Sequence, residues 1–539
     1  MKNSTKQLKV GVLLSYLTLG LSNLIALIYT PFMLRMMGQS EYGLYSLVAS
    51  VVAYLTILDF GFGNAIVRYT AKYRAEGKVE DQYSLFGLFF ILYSIIGVIS
   101  FLLGLGLYFN IDFLFEQSMT GEELSKARVM VLLLVFNVAL TFPLSVFSSV
   151  VVAYEKFIFH KFINLARVIL QPCLMIPLLL VGYKAVGMVV LTTVLNIGTL
   201  LICCWYCFAR LHVRLNFKNK HQGALLKEIS SYSFYVFLTI IVDRAFWSTG
   251  QFILGMLSGT KDVAIYSIVV QFCNYYMSFS VAISGVFLPK MTQLIAEGCE
   301  RKELSEMFIR IGRIQYLVMI YILFAFALFG RDFIYYWAGM DYHDVYPLAI
   351  MIMIPQTIPL IQNLGIAILQ AQNRQRFRSF LNVAVSLISV FIGYELTKRY
   401  GIYGCAFATS VALFLGHGVI LNWYYHTKIH LDLIYFWKQI FKLTIPAALC
   451  AFFMAMFMRW LSSSAFTVVL TEGILYSVMY VVFMWKWGCN EFEKNQIKVP
   501  LMAFFDNVFY PLNEILIKIR HYYNTNCMQI QIKRTDTHR

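Results

Sequence analysis

Arg244, Trp247, Ser248 and Gln251 follow i, i+3, i+4 and i+7 spacing inside an apolar stretch, so they share one face of a helix. A guanidinium carries five donors in a planar fork that matches phosphate oxygens. Leaving it in hydrocarbon is costly unless it is paired or wet. Arg244 therefore reads as the lining of a water-filled cavity that takes an anionic group, and Arg167, inside another apolar run, reads the same way. Asp59 lies late in a third run, with Asn64 five residues on and Arg68 at its end. Asp243 adjoins Arg244, but neighbours on a helix point about 100° apart and take separate partners. Asp59 and Asp243 are thus candidates to tune such a cavity, as partners of basic groups or as ion-coupling residues. Polar stripes (Ser15, Thr18, Ser22 and Gln271, Asn274, Ser278) have a plainer reading as hydrogen bonds between packed helices. Trp247, Gln251 and Asn274 are kept beside Arg244, Arg167 and Arg68 as substrate-side candidates.

Other chemistry finds little footing. There is no G-x-x-x-x-G-K-[ST] phosphate loop. Gly61 and Gly63, in Asp59-Phe-Gly-Phe-Gly-Asn64, sit late in an apolar helix and not between a strand and a helix. The carboxylates of Asn110–Lys126 and Arg331–Asp344 read as solvated loop faces. The ten cysteines show neither metal nor disulfide spacing and read as small hydrophobes. His160 and His417 read as interfacial or packing residues. The expectation is a protein that is no enzyme and holds no metal and no cofactor.

The groups above need elements that hold them in lipid. The chain is 59% hydrophobic and 13% charged, about half the charge of a soluble domain. Its net charge of +16 comes from short basic clusters between apolar runs, the pattern of cytoplasmic loops and not of a nucleic-acid surface. Runs long enough to span, about 20 residues, fall near Val10–Met33, Gly43–Val67, Ser84–Phe109, Val129–Val152, Phe162–Val181 and Val186–Phe208. After a basic stretch, Arg210–Lys227, come Tyr232–Leu257, Val263–Leu288, Ile311–Phe329, Val345–Leu369, Phe380–Leu396 and Tyr403–Tyr425, then Leu443–Trp460 and Thr467–Trp485. The fold class is all-α, a polytopic membrane protein of about 14 helices. The first run is too long for a signal-peptide core and stays as a helix.

An internal repeat organises these runs. Phe32-Met-Leu-Arg-Met36 resembles Phe252-Ile-Leu-Gly-Met256, Tyr45-Ser-Leu-Val48 resembles Tyr266-Ser-Ile-Val269, and Ala75-Glu-Gly77 matches Ala296-Glu-Gly298. The offset is 220 residues, then 221. Phe142-Pro-Leu144 and Ile358-Pro-Leu360 continue the series. Each copy holds six helices, so both face the same way, with a solute site between them. The layout is an N-lobe over 1–209, a cytoplasmic link over 210–230, a C-lobe over 231–425, a helix pair over 426–487 and a tail over 488–539.

Arg35-Met-Met-Gly-Gln-Ser-Glu-Tyr-Gly-Leu-Tyr-Ser-Leu47 and Leu58-Asp-Phe-Gly-Phe-Gly-Asn-Ala-Ile-Val-Arg-Tyr69 resemble the N-terminal signature of Wzx-type polysaccharide flippases, in the multidrug/oligosaccharidyl-lipid/polysaccharide (MATE-like) exporter superfamily. The resemblance runs through the whole helical region and stops at the tail. It implies two six-helix lobes around a cationic cavity that passes an undecaprenyl-pyrophosphate-linked oligosaccharide across the bacterial inner membrane by alternating access. The lipid tail would stay in the bilayer. Arg244 and Arg167 would supply the cationic role, with a polysaccharide polymerase and chain-length machinery as possible partners besides substrate and lipid. The alternative from the same superfamily is an ion-coupled multidrug or metabolite exporter.

With the N-terminus inside, and with Arg313 and Arg459 at span ends counted with the adjoining loops, 33 of the 44 Lys and Arg fall on the cytoplasmic side, 9 outside and 2 within spans. The positive-inside rule then places both termini in the cytoplasm. Reporter fusions or cysteine labelling at Asn219 and Asn526 are expected to report cytoplasmic positions; an outer position at either site sinks the topology.

Overall fold

The computed structural model describes residues 2–217, 237–238, 240–242, 244–372, 374–461 and 466–495. Asp243, the greater part of the expected basic link and the expected tail lie outside the described residues, as do the side chains of residues 2–17.

Every regular element among the described residues is helical. In order they are α1 (Lys2–Met37), α2 (Gln39–Ala53), a tight turn (Tyr54–Asp59), α3 (Phe62–Ala75), α4 (Val79–Phe109), α5 (Ile111–Phe115), α6 (Gly121–Ala153), α7 (Phe157–Val181) and α8 (Ala185–Ala209). Then come α9 (Thr249–Leu257), α10 (Thr260–Ala296), α11 (Arg301–Ala338), α12 (Val345–Ile361), α13 (Asn363–Ala371), α14 (Gln375–Leu413), α15 (Leu433–Leu461) and α16 (Phe466–Phe483). Eleven segments of the described residues are long and apolar enough to cross a membrane. One of them, Gln375–Ile429, has 55 residues, ~80 Å of helix against a hydrocarbon core of ~30 Å. It breaks at Gly401 (φ 56°, ψ −139°), between two of the expected runs. Large apolar side chains such as Phe162, Leu180, Phe391 and Phe452 stand exposed on these helices, which lipid tolerates and water does not. The chain is an all-α, polytopic membrane protein.

Two compact units are present, Met1–Phe436 with Ser463–Val469, and Trp437–Ser462 with Leu470–Arg539. In the second, Cys450, Met454 and Tyr476 are buried. Glu472, 5% exposed inside α16, is a spanning charge that the run-by-run reading passes over.

In the first unit the repeat is visible in the backbone. Gly38 (φ 80°, ψ 165°) precedes α2, and Gly259 (φ 92°, ψ −176°) precedes α10. Both sit in a region that essentially only glycine occupies, at equivalent positions of the two copies. Gly77 (φ 70°) and Gly298 (φ 77°) likewise follow the ends of α3 and α10.

The equivalent helices α2 and α10 lie against each other. A Cβ on Gly43 would come 1.8 Å from the Thr260 carbonyl oxygen and 3.2 Å from the Ala264 amide nitrogen; Ala264 is the repeat counterpart of Gly43. Small residues are what let membrane helices approach this closely. One end of the seam is bridged by Glu123. Its Oε1 accepts from Ser40 at 2.5 Å and Thr260 at 2.8 Å, and its Oε2 accepts from the Thr120 amide at 2.9 Å in a capping box. At the same end Arg35 donates to the Tyr336 carbonyl at 2.7 Å, Gln39 to that of Asp341 at 3.0 Å, and the Trp337 indole to that of Leu27 at 2.7 Å. The expectation that the carboxylates of Asn110–Lys126 form a solvated face holds for the exposed Glu116 and Glu122 and fails for Glu123. The segment is α5 plus the first turns of α6, and Glu123 is tied to both copies.

Two substitutions separate packing from bridging in this seam. Gly43→Val inserts a branched side chain where no space exists, a cost of about 1–3 kcal/mol or more, and is expected to lower the melting temperature of the solubilised protein markedly. Gly106→Val, where a Cβ meets nothing within 4 Å, is the control. Glu123→Ala should cost less, because the freed hydroxyls reach water. Equal melting for Gly43→Val and wild type would refute the close approach.

Candidate functional site

Between the two copies lies a cavity of about 570 Å³, within the usual range of ligand sites (~300–1,000 Å³). Asn23 and Thr30 reach it from α1, Tyr42 and Tyr45 from α2, Ser248 and Gln251 from α9 and the residue before it, and Tyr275 from α10. Its most telling feature is register. Ser46, Ala49, Ser50 and Ala53 of α2 line it, and so do Ser267, Val270, Gln271 and Asn274 of α10, the same four positions displaced by 221 residues. Gln271 donates to Thr30 Oγ1 at 3.1 Å and to the Tyr275 hydroxyl at 2.6 Å. The Tyr54 and Thr249 hydroxyls meet at 2.5 Å. Among the described residues every polar group of the lining is a hydroxyl, phenol or carboxamide; no Lys, Arg, Asp or Glu belongs to it.

The expected site residues separate accordingly. Gln251 and Asn274 line the central cavity. Trp247 lines a different one, of about 160 Å³, inside the C-terminal copy. The shared face spreads over about 100° of helix, with Trp247 at one edge and Ser248 at the other, so it straddles the wall between two spaces. Arg244 is half-buried and borders neither. Arg167, on α7, donates to Asn196 Oδ1 at 2.8 Å. The Asn196 amide in turn donates to Asn137 Oδ1 and Thr141 Oγ1, each at 2.8 Å. Arg167 is not among the residues that line the cavity. Arg68 is exposed on α3, its guanidinium 5.9 Å from the Tyr69 ring centroid.

Asp59 sits where the second span breaks. Phe60 (φ 50°) and Gly61 (φ 68°) are both left-handed. The Asp59 carboxylate accepts from the Tyr93 hydroxyl at 2.7 Å and from the Gly61 amide. It thus holds the entry to α3, and the Phe60 ring is free to stack on Phe237 of the other copy at 4.7 Å. Sequence reasoning missed Tyr42, Tyr45 and Thr30, which looked like ordinary packing residues. The signal that could have found some of the lining is the repeat itself, since a polar α10 position marks its α2 counterpart.

A family model described as "Polysaccharide biosynthesis protein" matches residues 8–295 of the 539. A Shigella flexneri protein described as "Putative O-antigen transporter" is 20% identical over 413 residues, covering 75% of this chain and 94% of its own length. Among solved structures, the lipid II flippase MurJ in an inward closed conformation matches with a TM-score of 0.67 and 16% identity, over 88% of this chain and 99% of that one. An inward-facing multidrug resistance MATE family transporter of the MOP superfamily matches with a TM-score of 0.60 and 15% identity, over 75% of this chain and 93% of that one. These structures establish a MurJ- and MATE-like fold. With the family match reaching from α1 to the last turn of α10, through both walls of the cavity, the chain belongs to the polysaccharide biosynthesis protein family.

Proposed function

We propose that the chain is a flippase that moves undecaprenyl-pyrophosphate-linked oligosaccharide units across the bacterial inner membrane by alternating access, for surface polysaccharide biosynthesis. The observation that carries this reading is the uncharged, hydroxyl- and amide-rich cavity between two repeat copies bridged at one end. A sugar chain needs many weak donors and acceptors, and phenol rings give its apolar faces a surface to lie on. A cavity for cationic drugs would instead hold carboxylates or a purely apolar wall. The oligosaccharide occupies the central cavity, the lipid tail stays in the bilayer, and the pyrophosphate meets the guanidinium groups around the cavity, Arg244 first and Arg167 and Arg68 next. The bridged end is the outer one, and both termini are cytoplasmic. A polysaccharide polymerase and chain-length machinery would receive the product.

The test is surface polysaccharide in a flippase-deficient strain, normalised to membrane protein level. Arg244→Ala is expected to lower it by roughly tenfold or more, equivalent to ~1.4 kcal/mol, and Arg244→Lys by less, because charge survives but the fork is lost. Wild-type output from a normally expressed Arg244→Ala protein would move the head-group site to Arg167 or Arg68. Failure of the unmodified chain to restore polysaccharide would refute the flippase reading.

The same strain tests the acids. If Asp59 or Asp243 couples transport to an ion, Asp59→Asn or Asp243→Asn should flatten the dependence of output on pH or sodium. Should both keep the wild-type dependence, coupling lies elsewhere and Asp59 is a helix-entry residue alone.

A further inference from the structure

We infer that the C-terminal copy contains a second carbohydrate subsite: the pocket beside Trp247 seats one hydroxylated sugar ring, whose hydroxyls donate to Gln356 and Asn382. This rests on the oligosaccharide reading above and deepens it, because it adds a place where an individual sugar is recognised.

The pocket has room for about five waters at ~30 Å³ each. It is built where two helices lose their regular form. α12 carries Pro355 and Pro359 and gives way at Gln362 (φ −109°, ψ 13°) before α13 begins. Opposite, Phe414–Leu421 is a π-helical stretch that carries His417; such stretches occur often at functional sites. The wall is braced by hydrogen bonds: Gln362 to Asn422 Oδ1 at 2.8 Å, and Asn363 to Ser280 Oγ at 2.8 Å.

Three polar atoms of residues lining this one space are buried without a hydrogen-bond partner among the described residues: Gln356 Oε1, Asn382 Oδ1 and His417 Nδ1. Gln356 is 2% exposed, and its amide nitrogen is already committed to the Cys273 carbonyl at 3.3 Å, so its oxygen is the atom left to accept from whatever fills the pocket. A buried polar atom left alone costs about 1–3 kcal/mol, so three around one cavity call for hydrogen-bonding partners inside it, water at rest and the hydroxyls of a ligand when one enters. The occupant's chemistry follows from theirs. Two carboxamide oxygens require donors, which a bare anion lacks. Arg378 lines the same pocket and opposes a metal cation. Trp247 offers an indole to the apolar face of a ring. A neutral, hydroxyl-bearing ring satisfies all of these at once.

The test uses the purified full-length protein in nanodiscs, with free neutral hexoses and N-acetylhexosamines as probes and saturation-transfer NMR as readout. Asn382→Leu and Gln356→Leu are expected to weaken binding of at least one sugar about tenfold. Trp247→Ala should weaken it similarly and Trp247→Phe less, a graded series that a folding defect would not give. Melting temperatures near wild type for these variants complete the expected pattern. Undiminished sugar binding in all of them overturns the subsite. So does an absence of sugar binding by the wild type up to 100-millimolar order, or a pocket-dependent signal from sodium or inorganic phosphate alone. Failure of the wild type to restore surface polysaccharide would strike the flippase reading separately, since sugar binding is measured on the isolated protein.

Discussion

Association between helices in lipid cannot draw on the hydrophobic effect, because the tails are as apolar as the side chains. The contact of α2 with α10 therefore depends on how close two backbones can come, and Gly43 decides that. With no Cβ there, the Thr260 carbonyl lies against the α2 backbone, and Ser40 and Thr260 are brought within reach of one carboxylate oxygen of Glu123. Everything else about the cavity follows from this seam. The same two helices supply eleven of its lining residues, and their distance apart sets its width. A seam of small residues and a few hydroxyl–carboxylate bonds is also one that can part, since each bond has a ready substitute in water at the protein surface.

The chemistry around the cavity is layered. The wall offers hydroxyls, phenols and carboxamides, and the guanidinium of Arg167 is held away from it by Asn196, whose amide donates on to Asn137 and Thr141. The wall among the described residues thus presents no fixed ion pair to whatever enters the cavity. That suits a substrate that must be released on the far side: many weak contacts hold a sugar chain, while one strong contact would trap it. The resemblance implied a cationic cavity; among the described residues no basic side chain belongs to its lining.

Much of the fold was legible in the sequence because membrane spans and repeats write themselves in composition and in glycine. The offset read from Tyr45 and Tyr266, or from Gly77 and Gly298, is the offset at which backbone angles match. Gln251 was legible as a lining candidate from its place on the Arg244 face, whereas Asn274 belonged to a stripe whose plainer reading was packing; both line the cavity. Three features were not. Glu123 lies 83 residues from Ser40 and 137 from Thr260, and its local signature, the Thr120-x-x-Glu123 spacing, marks a helix start and says nothing of those distant partners. The face bearing Trp247 and Gln251 was correct as a face, but helical spacing says nothing about how many spaces it borders. Asp59 was read as a candidate partner of Arg68 or ion-coupling residue; that its carboxylate also accepts from Tyr93 and from the Gly61 amide at a left-handed break could not be read, because positive φ at a phenylalanine has no sequence signature.

The repeat also shows how a symmetric scaffold acquires an asymmetric lining. Ser46 and Ser267 are unchanged between copies, whereas Ala49 faces Val270, Ser50 faces Gln271, and Ala53 faces Asn274 across equivalent positions. Duplication fixes where side chains enter the cavity; substitution fixes what they offer. At these four positions the N-terminal copy keeps small side chains and the C-terminal copy carries two amides, while Asn23, Tyr42 and Tyr45 are larger contributions of the N-terminal copy from elsewhere on α1 and α2. The same division extends outward from the seam. Gly43 yields the space, and backbone atoms of Thr260 and Ala264 come into it, whereas its counterpart Ala264 carries a Cβ, so the close approach itself is asymmetric. Selectivity in such a scaffold is therefore expected to reside in α10 and in the C-terminal copy, while α2 governs whether there is a cavity to be selective in.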